Sequence, residues 1–136
     1  MRRYLYIIIT LAFLSVGLLS VYKNRNVSQA QKYTNITSGQ LYEMLKNKDF
    51  YFVNVHIPYE GEIEGTDAFI PYDEIAQNLD KLPEDKSAKI VLYCRSGKMS
   101  EIAAQELSDL GYTNVYNHQF GMHDWQSKGY PLWNKN

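Results

Sequence analysis

One stretch in the second half of the chain constrains the fold more than any other. The apolar run IVLY at residues 90–93 ends at Cys94, the only cysteine of the chain. A short polar loop that contains Gly97 follows, and apolar residues at helical spacing begin after it. The pattern predicts a buried strand that delivers a thiol into a loop at the N-terminus of a helix. A strand that is apolar on both faces is typical of a parallel sheet covered by helices.

This location predicts a reactive Cys94. Backbone N–H groups and the dipole at a helix N-terminus favour the thiolate, which is the nucleophilic form of the side chain. A single cysteine excludes a disulfide within this chain, a C-x-x-C redox pair and a multi-cysteine zinc site. The alternative is that Cys94 only completes a core strand, since free cysteines are often buried as small apolar residues.

The rest of the domain alternates between predicted strands and helices. Aromatic and β-branched runs predict strands at residues 50–55, 68–70, 90–93 and 113–117. Caps and amphipathic spacing predict helices after Thr37 or Ser38, over 72–79, after the Cys94 loop and over 122–128. The helix after the cysteine is expected to bury one face, formed by Ile102, Ala103, Leu107 and Leu110. This order indicates an α/β domain with a central, mostly parallel sheet flanked by helices.

The N-terminal segment is of a different kind. Residues 4–22 carry no charge and are flanked by arginines before and by Lys23 and Arg25 after. Their length reaches the lower end of the about 17–25 residues that span a bilayer. We therefore predict a signal-anchor or signal peptide at 1–23, a linker at 24–35 and a globular domain at 36–133. A cleaved signal with a small-x-small site at 28–30 is the alternative.

Charge and orientation limit the partners and the location. Four of the 14 basic residues precede residue 31, which leaves 10 basic against 15 acidic residues after it. A domain with a net charge of −5 lacks the basic surface of a nucleic-acid binder. A single N-terminal span usually exports the domain behind it, so the domain is expected outside the cytoplasmic membrane, either anchored to it or secreted.

Two further groups of residues are interpreted as structural. The acidic loop at 60–67 lacks the ligand spacing of a calcium loop and is interpreted as solvated. His118 and His123 have no neighbouring cysteines or set of carboxylates, so they are interpreted as structural or exposed rather than as metal ligands.

Three motifs are close to those of one known family. They are YCRSGKMS at 93–100, LGY at 110–112 and GYP at 129–131. At these spacings the sequence resembles rhodanese-like domains, the family of the single-domain thiosulfate sulfurtransferases. The resemblance covers residues 36–133, which is nearly the whole chain beyond the N-terminal segment and linker.

The resemblance implies a rhodanese-like fold and a sulfurtransferase activity. Cys94 is the implied catalytic residue: its thiolate attacks the outer sulfur of a donor such as thiosulfate, and the resulting persulfide passes its sulfur to a thiol acceptor. No metal and no cofactor are implied. The implied substrate-binding residues are those of the loop, Arg95, Ser96, Gly97, Lys98, Met99 and Ser100. The charges of Arg95 and Lys98 are expected to hold an anionic donor, and loop N–H groups to point at the sulfur.

Departures from the family pattern leave a second interpretation open. Asn54 and His56 stand where the family usually has Asp and Arg, and Met99 stands where many members have a second loop arginine. The chain can therefore be a non-catalytic rhodanese-type binding or redox-sensing module anchored at the membrane. A phosphatase of this fold is disfavoured, because the arginine position of its C-x5-R loop falls on Ser100, which has no guanidinium to bind a phosphoryl group in bidentate fashion.

Overall fold

The computed structural model describes residues 32–133, which contain five strands and three α-helices. The strands are β1 (Thr34–Ile36), β2 (Tyr51–Asn54), β3 (Ala68–Phe69), β4 (Ile90–Tyr93) and β5 (Val115–His118). The helices are α1 (Ser38–Lys46), α2 (Lys98–Asp109) and α3 (Gly121–Ser127). The strands form one sheet in the order β1-β5-β4-β2-β3, with every neighbouring pair parallel. The predicted α/β architecture with a parallel sheet flanked by helices is confirmed.

The predicted N-terminal apolar segment at 4–22 lies outside the described residues, as does the linker up to residue 31. Within residues 32–133, no helix is both long and apolar enough to cross a bilayer.

Strand β4 lies at the centre of the sheet, between β5 and β2, and all four of its residues are buried. Its side chains alternate between two apolar clusters, as the two-residue period of a strand requires. Ile90 and Leu92 pack in the cluster covered by α2, whereas Val91 and Tyr93 pack in the cluster covered by α1 and α3. The predicted buried strand before the cysteine is therefore confirmed.

The first strand and the first helix follow each other within a few residues. Among the described residues strand β1 pairs with β5 alone, and it begins two residues before the predicted start of the domain, inside the segment 24–35 predicted as a linker. Of the two predicted N-caps, Thr37 is the one observed. Its hydroxyl accepts a bond of 3.2 Å from the Gln40 N–H, and the Gln40 side chain accepts one of 2.9 Å from the Thr37 N–H, a reciprocal capping box.

The predicted helix over 72–79 is wrong. Two 3-10 segments, Tyr72–Glu74 and Ala76–Lys81, occupy this region, and Asn78 breaks the second with φ −123° and ψ 31°. The Asn78 side chain donates a bond of 2.8 Å to the Glu74 carbonyl. Side-chain bonds of this kind offer the backbone an alternative to a continuous helix.

Two burial predictions also need correction. In α2 the buried residues include Ala103, Ala104 and Leu107, whereas Ile102 is 54% exposed because it lies about 100° around the helix from Ala103. In the acidic loop Glu62 is buried, and its backbone pairs in both directions with Trp133 at 2.7 Å. The loop is thus closed by the last described residue of the chain.

Candidate active site

Cys94 directly follows β4 at the carboxyl edge of the parallel sheet, where ligands of such sheets bind. Its side chain is only 1% exposed. The loop turns through Gly97, which is the N-cap of α2. The predicted placement of the thiol between a buried strand and a helix N-terminus is confirmed.

Two donors lie within hydrogen-bonding distance of the sulfur. The Gly97 N–H donates to Cys94 Sγ at 3.1 Å, and Ser100 Oγ lies 3.5 Å from the same atom. Ser100 Oγ also lies 3.2 Å from the Gly97 carbonyl, so its single proton serves one acceptor at a time. A negative sulfur attracts that proton more strongly than a neutral thiol does. The sulfur therefore lies where a thiolate or persulfide anion gains two donors.

Two glycines let the loop pack against the connection between β5 and α3. Gly97 has φ +93°, and a Cβ there would lie 1.8 Å from the carbonyl oxygen of Gln119. Gly121 has φ +63°, and a Cβ there would lie 2.4 Å from the Cys94 carbonyl oxygen. Backbone touches backbone at both places, so no larger residue fits without displacing the loop.

Hydrogen bonds join the same two segments. The Met122 N–H donates to the Cys94 carbonyl at 2.9 Å, and the His123 N–H donates to the Arg95 carbonyl at 3.0 Å. The first turn of α3 therefore fixes two consecutive carbonyls of the loop, those of Cys94 and Arg95.

The Arg95 side chain is already engaged by other residues. Its Nε donates to His123 Nε2 at 2.7 Å, and one of its terminal nitrogens donates to Glu60 Oε1 at 3.3 Å. The other Glu60 oxygen lies 3.2 Å from Nε2 of the buried His56, without hydrogen-bond alignment. The Glu60 side chain, which is 39% exposed, thus lies between Arg95 of the loop and His56, which follows β2.

The remaining loop side chains differ in their surroundings. Lys98 and Ser96 are exposed, and Lys98 forms no ion pair within residues 32–133. Met99 is half-buried and packs against the apolar cluster that includes Cys94. A cavity of about 230 Å³ lies beside the loop, lined by Asn35, Ser96, Gly97, Lys98, Glu101, Asn117, Gln119 and Phe120. Cys94 does not line it, so this cavity does not open directly onto the sulfur.

Asn54 holds the loop that carries Glu60. Its amide Nδ2 donates to the Gly61 carbonyl at 3.0 Å, and its Oδ1 accepts from the His56 N–H at 3.0 Å. An aspartate could accept from His56 but could not donate to Gly61. The departure from the family pattern at this position therefore changes how the loop is fastened.

A second buried polar group joins β5, α1 and α3. Ser38 Oγ donates to Asp124 Oδ2 at 2.5 Å and lies 2.7 Å from His118 Nε2, so it accepts from that nitrogen. Burial lowers the pKa of His118 to about 4, and the Ser38 bond lowers the pKa of the Asp124 carboxyl. The neutral, buried His118 is structural, whereas His123 is exposed and contacts Arg95. Within the described part of the chain, no three His, Cys, Asp or Glu side chains are grouped to hold a metal ion.

The site therefore contains residues that the sequence singled out and others that it did not. The loop from Cys94 to Ser100 was expected, and so was the backbone donor at the sulfur. Glu60 and the contact between Arg95 and His123 were missed, because they join segments far apart in the chain. Gly121 belongs to a short Gly-Met pair in the sequence, but nothing local to it indicates the contact with Cys94.

One family model matches most of the domain. It is described as a rhodanese-like domain, and it matches residues 37–128.

Curated relatives share part of the chain. A tRNA uridine(34) hydroxylase of Hamiltonella defensa is 35% identical over 93 residues, which are 64% of this chain and 26% of that protein. A protein of the same name from Erwinia tasmaniensis is 29% identical over 93 residues, covering 64% of this chain and 27% of that protein. The chain thus spans about a quarter of the length of these relatives.

Solved structures share the fold. A rhodanese-like domain protein from Staphylococcus aureus superimposes with a TM-score of 0.64 at 28% identity, over 76% of this chain and 99% of that one. A human single-domain sulfurtransferase superimposes with a TM-score of 0.61 over 69% of this chain and 96% of that one, at 24% identity, which shows the fold alone.

Proposed function

The chain belongs to the rhodanese-like domain family, and from this premise we propose that it is a sulfurtransferase. It moves a sulfane sulfur from a small donor such as thiosulfate to a thiol acceptor, through a persulfide on Cys94. The observation that supports this most directly is the pair of donors, the Gly97 N–H and the Ser100 hydroxyl, on one cysteine sulfur at a helix N-terminus.

The first half-reaction loads the sulfur. The Cys94 thiolate attacks the outer sulfur of thiosulfate, a new S–S bond forms, and the bond between the two donor sulfurs breaks with its electron pair leaving on sulfite. The charge on the outer sulfur becomes that of the persulfide anion. The Gly97 N–H is a fixed donor for the negative charge at the cysteine, and the Ser100 hydroxyl is a second donor that can turn toward it.

The second half-reaction transfers the sulfur to the acceptor. An acceptor thiolate attacks the terminal sulfur of the Cys94 persulfide, and the electron pair of the broken S–S bond returns to Cys94. Neither half-reaction needs a proton to be taken from the cysteine if the thiolate is already formed. The absence of a general base from the proposal is therefore consistent with the chemistry of covalent catalysis.

The names of the curated relatives suggest another activity, hydroxylation of a tRNA uridine. The chain matches only about a quarter of their length. Its domain carries 10 basic against 15 acidic residues, whereas RNA binding relies on positive charge along the phosphate backbone. We therefore base the proposal on the thiol and not on a nucleic-acid substrate.

The test is the mass of the protein after exposure to a donor. The full chain is incubated with thiosulfate, freed of excess reagent and weighed intact, with sulfate as the control anion. We expect a gain of one sulfur atom, its removal by cyanide as thiocyanate, and neither event in Cys94→Ala. If the wild-type chain gains no sulfur and yields no thiocyanate, the activity with this donor is excluded.

A second candidate is a binding or redox-sensing module of the same fold. The observation that favours it is the engagement of Arg95 by Glu60 and His123, together with a cysteine that is 1% exposed. In that case the chain gains no sulfur from thiosulfate or from an organic persulfide, whereas mild oxidants still modify Cys94.

We also propose that residues 4–22 direct the domain across the cytoplasmic membrane, either as an anchor or as a cleaved signal. The apolar length and the flanking charges support this. Alkaline phosphatase fused after residue 136 is expected to be active in intact cells. Activity only of a cytoplasmic reporter at the same position would place the domain on the other side.

A further inference from the structure

The charged groups at the mouth of the Cys94 loop are arranged in a way that the proposed reaction does not require. Arg95 is the side chain next to the cysteine, and it is the obvious partner for a negatively charged donor. Its guanidinium instead donates to Glu60 and to His123. A cation that is engaged in this way offers less attraction to an anion than a free one does.

We propose that Glu60 determines donor specificity, by cancelling the charge of Arg95 so that the site favours sulfane-sulfur donors of low charge over small dianions. The preferred class is then an organic persulfide or polysulfide rather than thiosulfate. This inference rests on the proposed function, because it concerns the substrate of the same cysteine.

The contacts of Glu60 support this role. One carboxylate oxygen accepts from Arg95 at 3.3 Å, and the other lies 3.2 Å from His56 Nε2 without hydrogen-bond alignment, so the carboxylate is bonded to Arg95 and packed against His56. His56 is 6% exposed and lies two residues after the end of β2. Asn54 fixes the adjacent backbone through Gly61. Glu60 is therefore held beside the loop by its neighbours.

The remaining charges do not offset Glu60. Lys98 is the loop's other cation, and Glu101, in the first turn of α2, lines the same cavity as Lys98. Glu101 also accepts from the Tyr33 hydroxyl at 3.1 Å. The two cations Arg95 and Lys98 are thus balanced in number by two carboxylates around the loop, Glu60 and Glu101. Met99 adds no charge, and it packs inward against the apolar cluster. A dianion that approaches the Cys94 loop therefore gains little net electrostatic attraction. A donor of low charge does not depend on that attraction, so its binding is little affected.

A charge-matched pair of reagents tests this without relying on sulfur transfer. Iodoacetate and iodoacetamide alkylate a thiol by the same displacement and have nearly the same size, but only iodoacetate is an anion. The ratio of their rate constants at Cys94, in the full chain at neutral pH, reports the electrostatic potential at the sulfur. Changes in thiolate fraction or in burial affect both rates and cancel in the ratio.

The variant is Glu60→Gln, which keeps the shape and removes the charge. Because one negative charge is removed from a partly solvated site, we expect the iodoacetate-to-iodoacetamide ratio to rise about two- to fivefold. Glu84→Gln is the matched control. Glu84 is exposed in the loop before β4, at the opposite edge of the sheet, and its variant should leave the ratio unchanged.

A double variant tests the part played by Arg95. In Glu60→Gln/Arg95→Gln the ratio should return to about the wild-type value, because the cation that Glu60 held has also been removed. If Glu60→Gln gives the same ratio as Glu84→Gln, the inference is overturned. If the raised ratio persists in the double variant, the role given to Arg95 is overturned.

The kinetic arm uses sulfur transfer itself. With thiosulfate, Glu60→Gln should lower KM about two- to fivefold with kcat little changed. With an alkyl persulfide as donor, Cys94 attacks the terminal sulfur and the alkyl thiolate leaves; its KM should fall by a smaller factor, because this donor carries at most one negative charge. A chain that transfers no sulfur from any donor contradicts the proposed function, while the alkylation ratio still decides the role of Glu60. An equal change of KM for both donors would overturn the charge argument.

Discussion

A methyl group added at Gly97 should damage both the stability of the fold and the reactivity of the thiol. The substitution is Gly97→Ala. Its Cβ would lie 1.8 Å from the Gln119 carbonyl oxygen, whereas real Cβ contacts essentially never fall below 3.0 Å. The loop or the segment before α3 must therefore move by more than 1 Å. Such a shift separates the Gly97 N–H from the Cys94 sulfur, a contact of 3.1 Å.

The expected cost has two parts. A side chain at a positive φ costs about 1–2 kcal/mol, and forcing extra volume into a packed site costs about 1–3 kcal/mol. The free energy of unfolding should therefore fall by about 2–5 kcal/mol. Gly129→Ala is the matched control, because Gly129 has φ +81° but nothing within 4 Å of the added Cβ. It should lose only the conformational part, about 1–2 kcal/mol.

Two measurements on the full chain check this reasoning. Denaturant unfolding gives the difference in stability between the two variants, and the rate of Cys94 alkylation by iodoacetamide reports the thiolate. We expect Gly97→Ala to be the less stable variant and to react more slowly, whereas Gly129→Ala reacts at the wild-type rate. Equal losses of stability would refute the steric argument. An unchanged alkylation rate in Gly97→Ala would refute the role of its N–H at the sulfur.

Three further changes have defined outcomes. The low pKa of buried His118, about 4, means that between pH 6.5 and pH 4 only the unfolded chain binds this proton. Stability should fall by about 3 kcal/mol as the pH drops through that range, and His118→Gln should flatten the dependence in urea titrations; the same slope in the variant would contradict it. Tyr93→Phe removes the hydroxyl that accepts the buried Ile63 N–H at 3.0 Å, and should lower the unfolding free energy by about 1–3 kcal/mol in the same assay, a neutral result being contrary. Ser100→Ala should slow Cys94 alkylation by iodoacetamide about fivefold, the equivalent of about 1 kcal/mol; an unchanged rate would remove Ser100 from the set of donors.

The central part of the fold could be predicted because its signals are local. Strand β4 is a continuous apolar run, and the capping box of α1 is written in the residues from Thr37 to Gln40. Strand β1 could not be predicted in the same way. It has three residues, two of them exposed, and it exists through its pairing with β5 at residues 116–118.

In the candidate site, too, the features that are local in sequence could be predicted and the long-range contacts could not. A cysteine at the end of a buried strand and a glycine in the following loop are local features, and they placed the thiol correctly. The engagement of Arg95 by Glu60 joins residues 35 positions apart, and the fit of Gly121 against the Cys94 carbonyl depends on how α3 meets the loop. Neither contact leaves a periodic pattern or a composition bias. The charge balance around Arg95 could therefore be determined only from the folded structure.

The two glycine contacts have a consequence for anyone who wants to alter this protein. Gly97 and Gly121 hold the backbone of the loop at residues 94–100, the cradle of the sulfur, through contacts that leave no room for a side chain. Glu60, Ser96 and Lys98 are exposed side chains at its rim. These three side chains take no part in the two glycine contacts, so a small library at residues 60, 96 and 98 is expected to alter which sulfur donors react while Cys94 keeps its hydrogen-bond donors. The backbone that holds the sulfur and the side chains that select the donor can therefore be engineered separately, and the substrate preference of Cys94 can be changed at three surface positions.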